Sequence, residues 1–175
     1  MIRVWLTLVS VLAPAAWACA DDGWEPLQGS PGSLTEHPSV SMVSEVVRVA
    51  IGKESATVNC TFVFKNNGPT CIVRMRFPDD SSTHDQDDKP SSVFDYFRSS
   101  IDGKRARVAY SESERGWIKS VRFSRGQTWV IRDHYRVKHE ILDLTSKART
   151  AFGYTLSTGG TWRGDIERAE IRITF

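Results

Sequence analysis

The sequence is short of several things, and each shortage removes a class of protein. Once the extreme N-terminus is set aside there is no run of 18 apolar residues, so the rest of the chain offers no membrane-spanning helix. Charge of a single sign is missing too: 23 Lys plus Arg are set against 21 Asp plus Glu in 175 residues, a formal net charge of +2. Such a balance gives no global basic field for nucleic acid. Helix-length amphipathic stretches are nearly absent, and we find no internal repeat, which removes coiled coils and solenoids. No Gly-x-Ser-x-Gly elbow, phosphate-cradling glycine loop or dinucleotide fingerprint occurs. What remains, 40% apolar and 25% charged, is an ordinary globular composition.

The N-terminus carries an address. Arg3 supplies a positive start, Val4 to Leu12 an apolar core of signal-peptide length, and Ala16, Ala18 and Ala20 the small residues that a signal peptidase needs. Cleavage after Ala18 or after Ala20 satisfies the small-x-small rule; the second leaves the polar Asp21-Asp22-Gly23 as the mature N-terminus, and a mature chain of about 155 residues is one domain's worth of core. A signal peptide over 1–20 predicts a secreted or periplasmic protein. Cys19 offers an alternative, lipidation and a membrane tether, although Ala16 and Trp17 depart from the residues a lipoprotein signal prefers.

Residues 21–39, rich in Gly, Pro and Ser, read as a flexible lead-in. From 40 to 175 the pattern becomes short alternating runs divided by Gly, Asn, Asp and Pro, the period-two signature of strands. The runs begin at Val43, Ala56, Cys71, Val93, Arg105, Trp117, Trp129, Thr150 and Glu167. Turn signals fall at Asn67-Gly68, Asp102-Gly103, Arg125-Gly126 and Gly159-Gly160. Seven to nine such strands in one domain predict an all-β fold, an antiparallel β-sandwich of Ig-like type, with a β-barrel as the alternative. A short helix is allowed at His139 to Ala148, and Asp79 to Pro90 reads as a long acidic loop.

Two registers follow from the alternation. Val58, Cys60, Phe62 and Phe64 form one apolar face and Cys71, Val73, Met75 and Phe77 another. A two-residue hairpin turn at Asn67-Gly68 sets Phe64 opposite Cys71 and Val58 opposite Phe77. In that register Cys60 and Cys71 are offset by about 13 Å, beyond disulfide reach, whereas an oxidising compartment favours a bond between them. A second hairpin, at Arg125-Gly126-Gln127, pairs Phe123 with Trp129 and Lys119 with Asp133, so that an odd inward acid meets an odd inward base.

Chemistry has few footholds. His139-Glu140-Ile141-Leu142-Asp143 resembles a zinc-helix spacing with its second His replaced by Asp, and no third ligand is evident, so a small metallohydrolase is only a distant alternative. The acidic run at Asp79 to Asp88 lacks the glycine and the terminal glutamate of an EF-hand. No catalytic residue, metal or cofactor is assigned. The outward row Arg132, His134, Arg136 and Lys138, with Arg122 on the neighbouring strand, sums to a positive stripe suited to an anionic glycan, a lipid headgroup or an acidic protein; the competing reading is an ordinary solvated sheet face, whose charge can also defend an edge. Trp117 and Trp129 fall on inward faces. Trp162, between Gly159-Gly160-Thr161 and Arg163-Gly164, is either a stacking platform or a plug closing one end of the sandwich.

Three segments carry a resemblance: Phe62 to Asn66 with Arg76-Phe77-Pro78-Asp79, Ile101 to Lys104, and Tyr154 to Ile166 with its Y-x-L-x-T-G-x-x-W-x-G-x-I pattern. Together they resemble bacterial secreted β-sandwich domains of unknown function, and more loosely the first part is similar to the β-sandwich that opens inter-α-trypsin inhibitor heavy chains. The resemblance implies a β-sandwich outside the cytoplasm and carries over no catalytic residue. The expectation is therefore a non-enzymatic interaction or structural domain of the bacterial cell envelope, its partner an envelope protein or an anionic polymer. The alternative is a module that binds an anionic glycan or envelope polymer.

Overall fold

The computed structural model describes residues 23–25, 37–79, 92–138, 140–142, 149–151, 154 and 161–175. Among them are twelve strands and no α-helix: β1 (Gly23–Glu25), β2 (Val40–Ile51), β3 (Ser55–Asn66), β4 (Cys71–Pro78), β5 (Phe94–Ile101), β6 (Lys104–Arg105), β7 (Ala109–Ser111), β8 (Gly116–Phe123), β9 (Thr128–Lys138), β10 (Glu140–Leu142), β11 (Arg149–Ala151) and β12 (Arg168–Thr174). They build a six-stranded sheet in the order β12-β2-β3-β9-β5-β6 and a four-stranded sheet in the order β1-β4-β8-β7, with β10 and β11 as a separate ribbon. Neither sheet closes on itself, so the fold is a sandwich and not a barrel. Pairing is antiparallel except at one margin, where β12 runs parallel to β2.

The period-two alternation does what it predicts. Val58, Cys60, Phe62 and Phe64 on β3 are buried, as are Val73, Met75 and Phe77 on β4, with Cys71 half-buried. What differs is how the two runs meet. β3 is bonded to β2 and β9, and β4 to β1 and β8, so the Asn67-Gly68 hairpin does not exist. The chain instead arches from one sheet to the other, and the two apolar faces oppose each other across the core.

The local cause is legible at Asn66. A two-residue I′ turn needs positive φ at both central residues, and neither Asn67 nor Gly68 has it. The buried Asn66 side chain holds the arch instead: its Oδ1 accepts from Gly68 N at 3.0 Å, and its Nδ2 donates to the carbonyls of Pro69 (2.7 Å) and Ser124 (3.2 Å). Ser124 lies in the second arch, residues 124–127, which carries the chain from β8 to β9 and replaces the second expected hairpin. Asp102-Gly103, by contrast, has φ of 47° and 78° and makes the tight β5–β6 hairpin that its composition favours.

Further expectations are corrected. Within the 21–39 lead-in, Gly23–Glu25 pairs with β4, and His37 and Ser39 are buried. His37 Nδ1 accepts from Ser39 N (3.1 Å) and Val40 N (2.8 Å), satisfying amides that open β2. Glu140–Leu142 is a strand paired with Arg149–Ala151, not the helical turn that a His-to-Asp metal spacing would need; His139 and Asp143 lie outside the described residues. No disulfide joins Cys60 and Cys71, a bond that the expected hairpin offset does not favour. Cys71 opens β4 just past the arch, whereas Cys60 sits in mid-strand about six residues, roughly 20 Å, before it.

The core is aromatic and continuous between the sheets. Phe77 of β4 meets Tyr135 of β9 at 5.3 Å between ring centroids and Phe97 of β5 at 4.9 Å, and Phe97 stacks on Trp117 of β8. Trp162 closes one end of this core, 4.5 Å from the Phe64 ring and 6.0 Å from His37.

Candidate anion-binding face

Alternation along β9 turns Ile131, Asp133, Tyr135 and Val137 into the core and Arg132, His134, Arg136 and Lys138 to the outer surface. β9 is not an edge. It lies between β3 and β5 in the interior of the six-stranded sheet, so its charges defend no open backbone, and the edge-protection reading does not apply to them.

Pairing registers extend the stripe across the sheet. Arg172 of β12 pairs with Arg48 of β2, Arg48 with Asn59 of β3, Asn59 with His134 of β9, and His134 with Arg98 of β5. Residues in register share a face, so these five side chains form a transverse row of roughly 19 Å at ordinary strand spacing. Arg132 and Arg136 flank it on either side, and Lys138 stands at the far end of β9. Arg48, Arg98, Arg132 and Lys138 have no carboxylate partner among the described residues, whereas Arg136 is paired with Asp95 at 2.8 Å and Glu170 is held by Arg168 and Arg172.

His134 is the titratable centre of the row. Its Nε2 lies 3.0 Å from Tyr96 Oη, and the Tyr96 ring is flanked by the guanidinium groups of Arg98 (5.1 Å) and Arg136 (5.5 Å). Partial burial, and after it the Arg98 charge, lowers the imidazole below its ordinary pKa. The row therefore combines fixed guanidinium charge with one group that gains charge on acidification.

Beyond Arg98 the face runs into a cleft of about 380 Å³ lined by Phe97, Arg98, Ser99 and residues 105–108. Here the chain leaves β6 for the other sheet, and Ala106 N bonds to Ser99 O at 2.9 Å. Arg98, Arg105 and Arg107 line the cleft, and among the described residues no acidic residue does. Arginine is suited to an anion, because its planar guanidinium donates two parallel bonds.

Two sequence candidates fall outside this site. Arg122 is on β8, in register with Ile72 on the four-stranded sheet, and so points from the opposite face of the sandwich. Trp162 is 1% exposed and has no free ring face for a sugar; it is the plug. Conversely, Arg48, Arg98, Arg105 and Arg107 went unrecognised from sequence because their membership depends on strand order, which local periodicity does not contain. Among the described residues no three His, Cys, Asp or Glu side chains converge as metal ligands. Asp79, at the start of the acidic run, is buried and accepts hydrogen bonds from Val93 N, Trp117 Nε1 and Ser92 Oγ.

No protein-family model and no curated protein matches this chain. Among solved structures it is similar to a candidate nutrient binding protein of Legionella pneumophila, with 19% identity and a TM-score of 0.55 over 74% of this chain and 48% of that one. This chain thus spans about half the length of that relative. Weaker overlaps are with an M1 zinc metallopeptidase of Deinococcus radiodurans (11% identity, TM-score 0.39, 63% of this chain and 23% of that one) and leukotriene A4 hydrolase of Saccharomyces cerevisiae (12%, 0.39, 70% and 18%). The first likeness shows the fold; the other two carry no argument about activity.

Proposed function

We propose that this domain is a non-catalytic binding module of an exported bacterial protein, holding an anionic glycan or envelope polymer along the outer face of its six-stranded sheet. One observation carries the reading: the row Arg172, Arg48, Asn59, His134 and Arg98 crosses five strands of the sheet, and its charges at Arg48 and Arg98 have no described carboxylate partner. Gathering like charges in the middle of a sheet costs repulsion. A polyanion laid across the row relieves it. Export is supported by the signal-like Arg3, Val4 to Leu12 and Ala20, and by the likeness of Tyr154 to Ile166 to secreted bacterial domains. No described helix is long and apolar enough to cross a membrane.

The test is binding to immobilised polygalacturonate and to dextran sulfate, with neutral dextran as the control, at low and high salt. The expected result is binding to the acidic polymers that weakens steeply with salt, drops at least tenfold in the Arg48→Ala/Arg98→Ala variant, and is unchanged in Arg122→Ala on the opposite face. Equal binding to neutral dextran, or equal losses from both variants, would overturn the assignment of the site.

A further inference from the structure

β12 is an outermost strand of the six-stranded sheet, and among the described residues nothing pairs with its free edge. Long, flat edges invite another chain, and proteins blunt them with proline, bulges, inward-pointing charge or charged side chains. β12 has no proline, no bulge and no inward charge; its charges, Arg168, Glu170 and Arg172, all lie on the outer face and are of both signs. Its register against β2 is unbroken over seven residues, it holds no proline, and the side chains on its inner face are Ala169, Ile171 and Ile173. That face continues the row of Val47 and Val49, which are 0% and 2% exposed, yet Ile171 and Ile173 are 43% and 51% exposed. The six-stranded sheet overhangs its partner here and leaves an apolar strip.

The sequence of the strand is complementary to itself in one antiparallel register. A two-fold axis through Ile171 sets Glu170 opposite Arg172 of a second copy and Arg172 opposite its Glu170. Ile171 then faces Ile171, and Ala169 faces Ile173. Moving the centre by one residue, to Glu170 or to Arg172, puts like charges directly opposite, which is destabilising. Since the axis is perpendicular to the sheet, outer faces stay with outer faces and the apolar strips become one.

We infer that β12 pairs with β12 of a second copy of this chain, centred on Ile171, to join two six-stranded sheets into one continuous sheet. The register assigns the contact: two cross-strand Glu170–Arg172 pairs on one side and the Ile171 and Ile173 strip on the other. The association needs no polymer on the basic face; Arg172 alone belongs to both the row and this contact.

Charge exchange tests it on the full chain by sedimentation equilibrium at up to about 100 μM, a concentration that captures a complex with a dissociation constant of about 100 μM or tighter. The wild type is expected to sediment as a dimer. Glu170→Arg and Arg172→Glu alone each set like charges opposite one another and are expected to weaken association at least about tenfold. In a mixture of these two variants, one chain is basic at both positions and the other acidic at both, so every cross-strand pair is again of opposite charge and a one-to-one heterodimer is expected to reappear. Recovery on mixing also shows that each variant folds. A monomeric wild type, a dimer indifferent to Glu170→Arg, or a mixture that stays monomeric would each overturn the inference.

Discussion

Lys119 Nζ donates to Asp133 Oδ2 at 2.6 Å in the middle of the core, with both side chains at least 98% buried. The two residues belong to different sheets, β8 and β9, so this ion pair ties the layers of the sandwich together and is not a cross-strand pair within one sheet. Lys119 also lies 5.9 Å from the Phe97 ring centroid, and Asp133 is in register with Cys60 and Ser99. A charge in such surroundings is tolerable only while its partner is present.

Removing one member leaves the other charged and dry. Lys119→Met and Asp133→Leu are each expected to cost about 3–5 kcal/mol of stability, whereas the double variant is expected to come near the wild type. Urea unfolding of the four proteins measures the cycle; additive losses would show that the two residues act separately.

Acid should loosen the end of the sandwich closed by His37. Burial pulls this imidazole down to about 4 from its ordinary value of 6.5. Because the unfolded chain takes the proton more readily, the contribution of neutral His37 is complete above about pH 6.5. It is lost as pH falls toward 4, and no more is lost below that. The expected loss, on the order of 2 kcal/mol, is the difference in pH dependence between the wild type and His37→Gln across that window.

Ligand binding should have its own pH dependence, of opposite sign. The lowered His134 gains a positive charge only as pH falls below its ordinary value of 6.5. Affinity for an acidic polymer is therefore expected to rise on acidification and to become flat in His134→Gln. Fluorescence anisotropy with labelled polygalacturonate between pH 7.5 and pH 5, an interval set by the ordinary histidine pKa of about 6.5, reads this directly.

The arches should be fragile at Asn66 and Gly68. Asn66→Ala removes buried bonds to Gly68, Pro69 and Ser124 and is expected to cost about 3 kcal/mol. A Cβ at Gly68 would meet Ser39 Cβ at 2.5 Å. Thermal unfolding is therefore expected to show Gly68→Ala well below the wild type, whereas Lys65→Ala, on the exposed outer face, stays close to it.

Burial is where the sequence spoke most clearly. Alternation at Val58 to Phe64, at Cys71 to Phe77 and at Trp129 to Lys138 predicts which side chains turn inward, and the bulge between Met42 and Ser44 shifts the phase of β2 so that Val40 and Met42 and then Glu45, Val47 and Val49 all remain inside. Contact between Lys119 and Asp133 was also legible, because an inward acid needs an inward base. The partner of each strand was not. Asn67-Gly68 and Arg125-Gly126 have hairpin compositions, but the buried Asn66 side chain, which reaches into both crossings, decides that these segments join sheets instead. Half of the basic face was readable for the same reason: His134 and its neighbours alternate within one strand, while Arg48, Arg98 and Arg172 arrive through pairings that only the assembled sheet defines.

The parallel margin joins one of the earliest described strands to the last described one. During synthesis from the N-terminus, β2 and β3 emerge together, but the outer flank of β2 has no mate until residues 168–174 have left the ribosome. A nascent polypeptide, or one clipped ahead of β12, thus presents Val46 to Ala50 as a bare template for other chains. Completing β12 is what ends that exposure, so proteolytic trimming there is a route to aggregation even where the rest of the domain is intact.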